Sequence, residues 1–375
     1  MHITLEASDH PIDCATIQTV VVAMSGGVDS SVAAYLLAKQ GIDCIGISMQ
    51  VWDYRNNGGS CTRATCCAPD DFTDARKVAA IAGVPYYVFD FEKTFRKEVI
   101  DQFVQTYARG ETPNPCIECN NKVKFRELRD RAAAFGCSHV ATGHYARVRQ
   151  TSDGWYLLRG KDTDKDQSYF LYGLKQSELA QTLFPVGDMT KDEVRQIAKD
   201  AGLVTHSKPE SQDICFVSGS VQDFLVKIGG AKKSGQIVDR LGNTLGEHEG
   251  IDNYTVGQRK GLRLGGLENP LYVLELDPYN NKVIVGSKAE LERSEFNIKE
   301  VNWITPKPLT EPFKAIAQLR HRHKGVEVWV QPDSESNTCK VKFENEWTTV
   351  SPGQSCVFYD LSNQIVLGGG RIVNH

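Results

Sequence analysis

The stretch Thr19 to Ser31, reading TVVVAMSGGVDSS, constrains this chain more than any other. Val20 to Met24 is a short apolar run of the kind that forms a buried strand. Ser25, Gly26 and Gly27 then predict a tight turn, and from Asp29 the run Ser-Ser-Val-Ala-Ala-Tyr-Leu-Leu predicts a helix. A glycine turn between a strand and a helix points backbone N–H groups at one spot, and the helix N-terminus adds positive potential there. Such a site suits a phosphate. The Gly-Lys-Ser/Thr of the kinase-type P-loop is missing, so no lysine of the turn itself can meet β- and γ-phosphates.

Downstream, Asp43–Met49, Tyr86–Asp90 and Ser138–Thr142 read as further strands. Ala75–Gly83, Glu92–Tyr107 and Lys122–Phe135 read as helices between them. Strand–helix alternation implies an α/β fold whose parallel sheet is covered on both faces. Ligands then sit beyond the C-terminal strand ends, where the glycine turn, Met49 and Gly143-His144 would meet. Past residue 220 helical periodicity fades. Leu271–Leu276 and Lys282–Val285 form a hairpin pattern, and short strands recur at Phe313–Leu319, Val326–Val330, Cys339–Phe343, Ser355–Tyr359 and Ile365–Leu367. The expected domains are a loose extension over 1–18, a catalytic domain over 19–220, a small, mainly β central domain over 221–290, and a β-barrel over 291–375.

With 375 residues the chain can bury large cores. No apolar run is long enough to cross a membrane. Residues 1–18 carry Glu6, Asp9 and Asp13 but no Lys or Arg, unlike a targeting peptide, so the expected location is cytoplasmic. A net charge of −4 means that any nucleic-acid surface must be local. Lys227, Lys232, Lys233, Arg240, Arg259, Lys260 and Arg263 in the central domain and the run Arg320-His321-Arg322-His323-Lys324 are the basic candidates. A solvated strand edge explains the latter run equally well.

Eleven cysteines without a secretory signal point to thiol chemistry, metal binding or simple burial rather than a disulfide framework. Cys61, Cys66 and Cys67 lie in one loop without a matching zinc-ligand pair, and read as an active-site flap or structural thiols. Thr112-Pro-Asn-Pro-Cys116-Ile-Glu-Cys119 precedes a helix expected to begin near Asn121, which would place Cys119 where a thiolate is stabilised. Its Cys-x-x-Cys is a redox pair, half of a metal site, or chance. Cys215, between Asp213 and Phe216, reads as a buried cysteine. Thr190-Lys-Asp-Glu193 is a capping box for a helix to Ala201.

The string SGGVDS resembles the PP-loop of N-type ATP pyrophosphatases, which implies cleavage of ATP between its α- and β-phosphates. With TPNPxxxCN, ATGHYAR, KDQSYFL and SQDICF following in order, the chain from about residue 19 onward resembles the tRNA-specific 2-thiouridylase family. The resemblance implies a PP-loop (adenine nucleotide α-hydrolase-like) domain and ATP-dependent thiolation of the wobble uridine in the anticodon loop of tRNA. It gives ATP contacts at Ala23, Met24, Ser25, Gly26, Gly27, Val28, Asp29, Ser30, Met49 and Gly143, with Mg2+ accompanying ATP. Cys119 matches the nucleophile and Cys215 the persulfide carrier, the two forming a disulfide during turnover. Asn114, Pro115 and Cys116 match the surroundings of the target base. His144, Lys165, Asp166, Gln167, His321, Arg322 and Gln354 match tRNA contacts. A sulfur donor such as a cysteine desulfurase or relay protein is implied.

Many family members carry Asp where this chain has Cys116. Three thiols at 116, 119 and 215 are therefore also the ligand set of an alternative [4Fe–4S] route. Tyr145 and Phe170 are candidates to stack on the flipped base. Two other classes compete: PP-loop amidating ligases, in which the cysteines would be idle, and a tRNA-binding protein without catalysis.

Overall fold

The computed structural model describes residues 17–52, 69–210, 214–217, 219–228, 233–265, 269–345 and 348–373. Cys61, Cys66 and Cys67, Lys232, residues 1–16 of the extension and Ser211 to Asp213 of the SQDICF motif lie outside them.

The first domain is built on five parallel strands: β1 (Thr19–Ala23), β2 (Asp43–Gln50), β3 (Tyr86–Asp90), β4 (His139–Ala141) and, beyond the hairpin of β5 (Ala146–Thr151) and β6 (Gly154–Arg159), β7 (Thr182–Leu183). Their order is β3-β2-β1-β4-β7, with β1 in the middle. The unbroken apolar run of β1 has a direct cause. Val20 and Val22 face one core with helices α1 (Val28–Lys39) and α2 (Pro69–Ala82), while Val21 faces another. A strand buried on both faces has no polar alternation to show.

Two helices depart from the sequence expectation. The Glu92–Tyr107 pattern forms one helix over 92–108 with a wide turn at Arg96–Ile100. The helix expected near Asn121 begins instead at Pro115, with Asn114 as its N-cap, and runs to Ala134 through a wide turn at Cys119–Lys124. Pro115 opens this helix rather than delaying it, because proline at a first helical position has no N–H to lose and a preset φ. Wide turns of this kind concentrate at functional sites.

A four-stranded sheet follows, in the order Tyr272–Asp277, Lys282–Gly286, Gly235–Val238, Thr244–His248. The last part is a closed six-stranded antiparallel barrel. It includes Glu295–Trp303, a strand the sequence pattern did not disclose. The barrel is docked on the first domain by backbone and side chain alike. Thr112 N–H donates to Pro352 O at 2.9 Å, and Tyr169 OH donates to Ser355 O at 2.9 Å. Arg371 reaches Glu118 at 3.0 Å. No helix among the described residues is long and apolar enough to cross a membrane.

Candidate active site

The C-terminal ends of β1, β2 and β4 lie side by side, so the glycine turn, Met49 and Gly143-His144 share one edge of the sheet. The turn is braced by its own small hydroxyls. Ser25 N–H donates to Ser30 Oγ at 3.1 Å, Ser30 Oγ donates to Gly27 O at 3.2 Å, and Ser31 Oγ donates to the same carbonyl at 2.8 Å. Gly27 is the N-cap of α1, whose first N–H groups have no intrahelical acceptor. A Cβ on Gly27 would find only Ser25 Oγ, at 3.5 Å, so this face stays open for a ligand.

Two glycines are fixed by packing. Gly26 has φ +74°, and a Cβ there would stand 2.8 Å from Asp71 Cα and closer still to its carbonyl oxygen. A Cβ on Gly143 would stand 2.5 Å from Ser30 N. Only glycine lets α2 and the end of β4 approach the turn this closely. These contacts fit a phosphate cradle of the kind ATP requires.

Asp29, in the first turn of α1, accepts a hydrogen bond from Tyr145 OH at 2.7 Å. Burial, reinforced by the Asp29 charge, pushes the Tyr145 phenol far above its ordinary pKa. Tyr145 is 2% exposed, so it holds the turn and is not available to stack on a base. Lys191, whose role sequence reasoning missed, binds both Asp29 carboxylate oxygens at 2.8 Å. Lys191 also pairs with Glu210 at 2.9 Å, and Lys165 reaches Glu210 at 2.8 Å. Burial alone would raise Glu210, but the two lysines hold it down at about 2. On the other flank Lys208 ties Asp71 at 2.6 Å and Asp74 at 2.7 Å.

The thiols are distributed unevenly. Cys116 is exposed on the first turn of its helix, and Cys119 lies within that helix rather than just before its N-terminus. Cys119, one turn further in, is buried in an aromatic-rich cluster with Trp52, Phe95, Phe103 and Phe216. Cys215 packs half-buried on the same cluster, as does Met49. One apolar cluster therefore brings both proposed reactive cysteines to the edge that carries the glycine turn. Among the described residues no three His, Cys, Asp or Glu side chains gather as a metal site. Cys116 is exposed while Cys119 and Cys215 pack into one apolar cluster, so the described residues do not present these three thiols together as a [4Fe–4S] ligand set.

The expected tRNA residues fall into two groups. Asp166 is 8% exposed, and its carboxylate accepts from Gly160 N–H at 2.9 Å, Ser168 Oγ at 2.9 Å and Arg159 at 2.5 Å. It is nearly closed to solvent and braces the site from within. Gln167 accepts from Tyr145 N–H at 3.0 Å. Gln354 donates to Thr112 O at 3.0 Å, bracing the loop that leads to Asn114 and Pro115. His144 stacks on Phe125 at 6.0 Å, and burial, with Lys124 nearby, lowers its pKa to about 3. Arg320, His321, Arg322 and Lys324, by contrast, are exposed on the turn between two barrel strands. The His321 ring lies 4.4 Å from that of Phe170, so barrel and first domain meet there.

Three family models match the chain in tandem. They are described as a tRNA methyl transferase HUP domain over residues 18–219, a tRNA methyl transferase PRC-barrel domain over 222–287, and an aminomethyltransferase β-barrel domain over 293–372. Proteins named tRNA-specific 2-thiouridylase MnmA match nearly end to end. The one from Magnetococcus marinus is 46% identical over 359 residues, covering 95% of this chain and 99% of that protein. That from Geotalea uraniireducens is 48% identical over 358 residues, covering 94% of each. That from Clostridium kluyveri is 44% identical over 358 residues, covering 94% of this chain and 98% of its own.

Proposed function

This chain belongs to the tRNA-specific 2-thiouridylase family, and from that premise we propose that it replaces O2 of the wobble uridine by sulfur through an adenylated base and a persulfide on Cys215. It is a tRNA-uridine sulfurtransferase. The observation that carries the finer reading is the shared cluster of Cys119, Cys215 and Met49 beside the glycine turn. Methyl transfer, the term in the family-model descriptions, would call on neither the turn nor the thiols.

The uracil C2 carbonyl is a poor electrophile because its oxygen is a poor leaving group. O2 attacks the α-phosphorus of ATP, which enters with Mg2+, as the N3 proton passes to water, and N3 regains a proton when sulfur is left on C2. The bond from that phosphorus to the bridging oxygen breaks, and pyrophosphate leaves. The terminal sulfur of the Cys215 persulfide then attacks C2, and AMP departs with O2. Cys119 thiolate attacks the Cys215 sulfur, which breaks the S–S bond and leaves sulfur on C2. A Cys119–Cys215 disulfide results, and an external dithiol returns it with two electrons. Dividing one hard displacement into easier ones is the logic of covalent catalysis. A sulfur donor such as a cysteine desulfurase or relay protein reloads Cys215.

The test is incubation of the full chain, purified without oxygen, with unmodified tRNA, ATP and a cysteine desulfurase with cysteine. Thiolated uridine, AMP and pyrophosphate in equal amounts are the expected result. Absence of thiolated uridine under these conditions would overturn the persulfide route. About four irons per chain, lost together with activity in Cys116→Ser, would replace the persulfide route.

The exposed basic turn carries a second test. Arg322→Ala is expected to weaken all substrate tRNAs alike and to flatten the slope of log affinity against log salt by roughly one phosphate contact. Binding titrations at several salt concentrations measure it. An unchanged slope would remove Arg322 from the RNA contacts.

A further inference from the structure

The glycine turn has no lysine of its own, and it places the Asp29 carboxylate in the first turn of α1, beside the expected triphosphate. An unneutralised carboxylate there would oppose the ligand. Lys191 reaches the turn from 162 residues along the chain. It is the first residue of the Lys191–Asp200 helix and is 8% exposed. Its backbone is fixed by the Thr190 capping box and by Lys191 N–H donating to Asp162 Oδ2 at 2.9 Å. The ammonium donates at 2.8 Å to both Asp29 oxygens, pairs with Glu210 Oε1 at 2.9 Å, and lies 5.7 Å over the Tyr145 ring. Lys165 takes the other Glu210 oxygen. The charged side chains meeting here are the carboxylates of Asp29, Asp162 and Glu210 and the ammonium groups of Lys191 and Lys165.

A half-buried ionic cluster of this kind is a poor way to gain stability, since apolar side chains of similar volume would usually serve as well. Its position against the phosphate turn gives it a use. We propose that Lys191 is the phosphate-side cation of the nucleotide site, held at the edge of the turn by Asp29 and Glu210 and serving the β- and γ-phosphates of ATP. The proposal rests on the reading of the glycine turn as an ATP site and deepens it. As O2 of the base attacks the α-phosphorus, the bond to the bridging oxygen breaks and negative charge grows on the departing pyrophosphate. A fixed cation beside that charge stabilises the transition state without reorganising.

The experiment is equilibrium binding of ATP, pyrophosphate and AMP to the full chain and to three variants: Lys191→Met, Lys191→Arg, and Lys191→Met combined with Asp29→Asn. The double variant leaves no carboxylate at 29 stranded by the loss of its partner, and it guards against a simple folding defect. Lys191→Met and the double variant should each weaken ATP and pyrophosphate at least about tenfold, which is ~1.4 kcal/mol. AMP, which lacks β- and γ-phosphates, should change less than about twofold, and Lys191→Arg should restore most of the loss. Equal weakening of ATP and AMP would make Lys191 a structural brace and overturn the proposal, as would unchanged ATP binding in Lys191→Met. A wild-type protein that binds no ATP would instead overturn the nucleotide reading of the turn itself.

Discussion

Cys119→Ser and Cys215→Ser should each lower formation of 2-thiouridine at least about a thousandfold, because removing one member of a covalent pair disables the whole sequence of steps. Nucleoside analysis of the product tRNA measures the loss, and filter binding should show tRNA affinity within about twofold of wild type. The two variants should stop at different points. Loaded with labelled cysteine and a desulfurase, Cys119→Ser should retain labelled sulfur on Cys215, whereas Cys215→Ser should retain none. Both should still consume ATP on tRNA, since neither thiol belongs to the glycine turn. The packing makes Cys→Ser a mild change in volume: Cys119 is 8% exposed among aromatic rings, and serine differs there mainly in a hydroxyl that must find a partner. Full activity of either variant would remove its cysteine from the mechanism. Label on Cys119 in place of Cys215 would exchange their roles.

How far the sequence disclosed this arrangement depended on the range of the interactions concerned. β1, α1 and the turn between them were legible because strand period, glycine and helix period lie within one short window. The Thr190 capping box was equally local, and both of its hydrogen bonds are present. The helix at Pro115 was misplaced by six residues because two prolines look like a barrier. The second of them sits at the one helical position that tolerates proline. The barrel strand Glu295–Trp303 was hidden by an irregularity between Lys299 and Asn302, where Glu300 has φ +56° and the alternation of inward residues breaks. Lys191 was read only as a helix start. Its bond to Asp29 joins residues with no shared local pattern, and nothing in either neighbourhood signals it. Asp166 was read outward from its motif, but the groups that bury it come partly from the barrel.

That burial gives the second large effect. Arg159 is a junction between the domains. Its guanidinium binds Asp166 at 2.5 Å, Gln318 at 2.9 Å, and Asn363 at 2.9 Å through both backbone and side-chain oxygens. It also lies 3.6 Å over the Tyr359 ring. Gln318 in turn donates to His321 O at 2.6 Å, so the basic turn is held by the same network. Arg159→Met would leave the Asp166 carboxylate buried without its cation. Breaking a buried pair from one side costs about 3–5 kcal/mol, so the urea midpoint of the transition involving the barrel should fall markedly. Arg159→Met combined with Asp166→Asn should recover much of that loss, because the stranded charge is gone. Affinity for tRNA should recover less, since Gln318 and Asn363 still lack their partner and the Arg320–Lys324 turn loses its anchor. A single variant as stable as wild type would show that the Asp166 hydrogen bonds from Gly160 and Ser168 suffice to hold the charge. Full recovery of tRNA affinity in the double variant would show that the basic turn is positioned without Arg159. The expected split, stability rescued further than RNA binding, follows from one side chain neutralising a charge on one side and aligning a loop on the other.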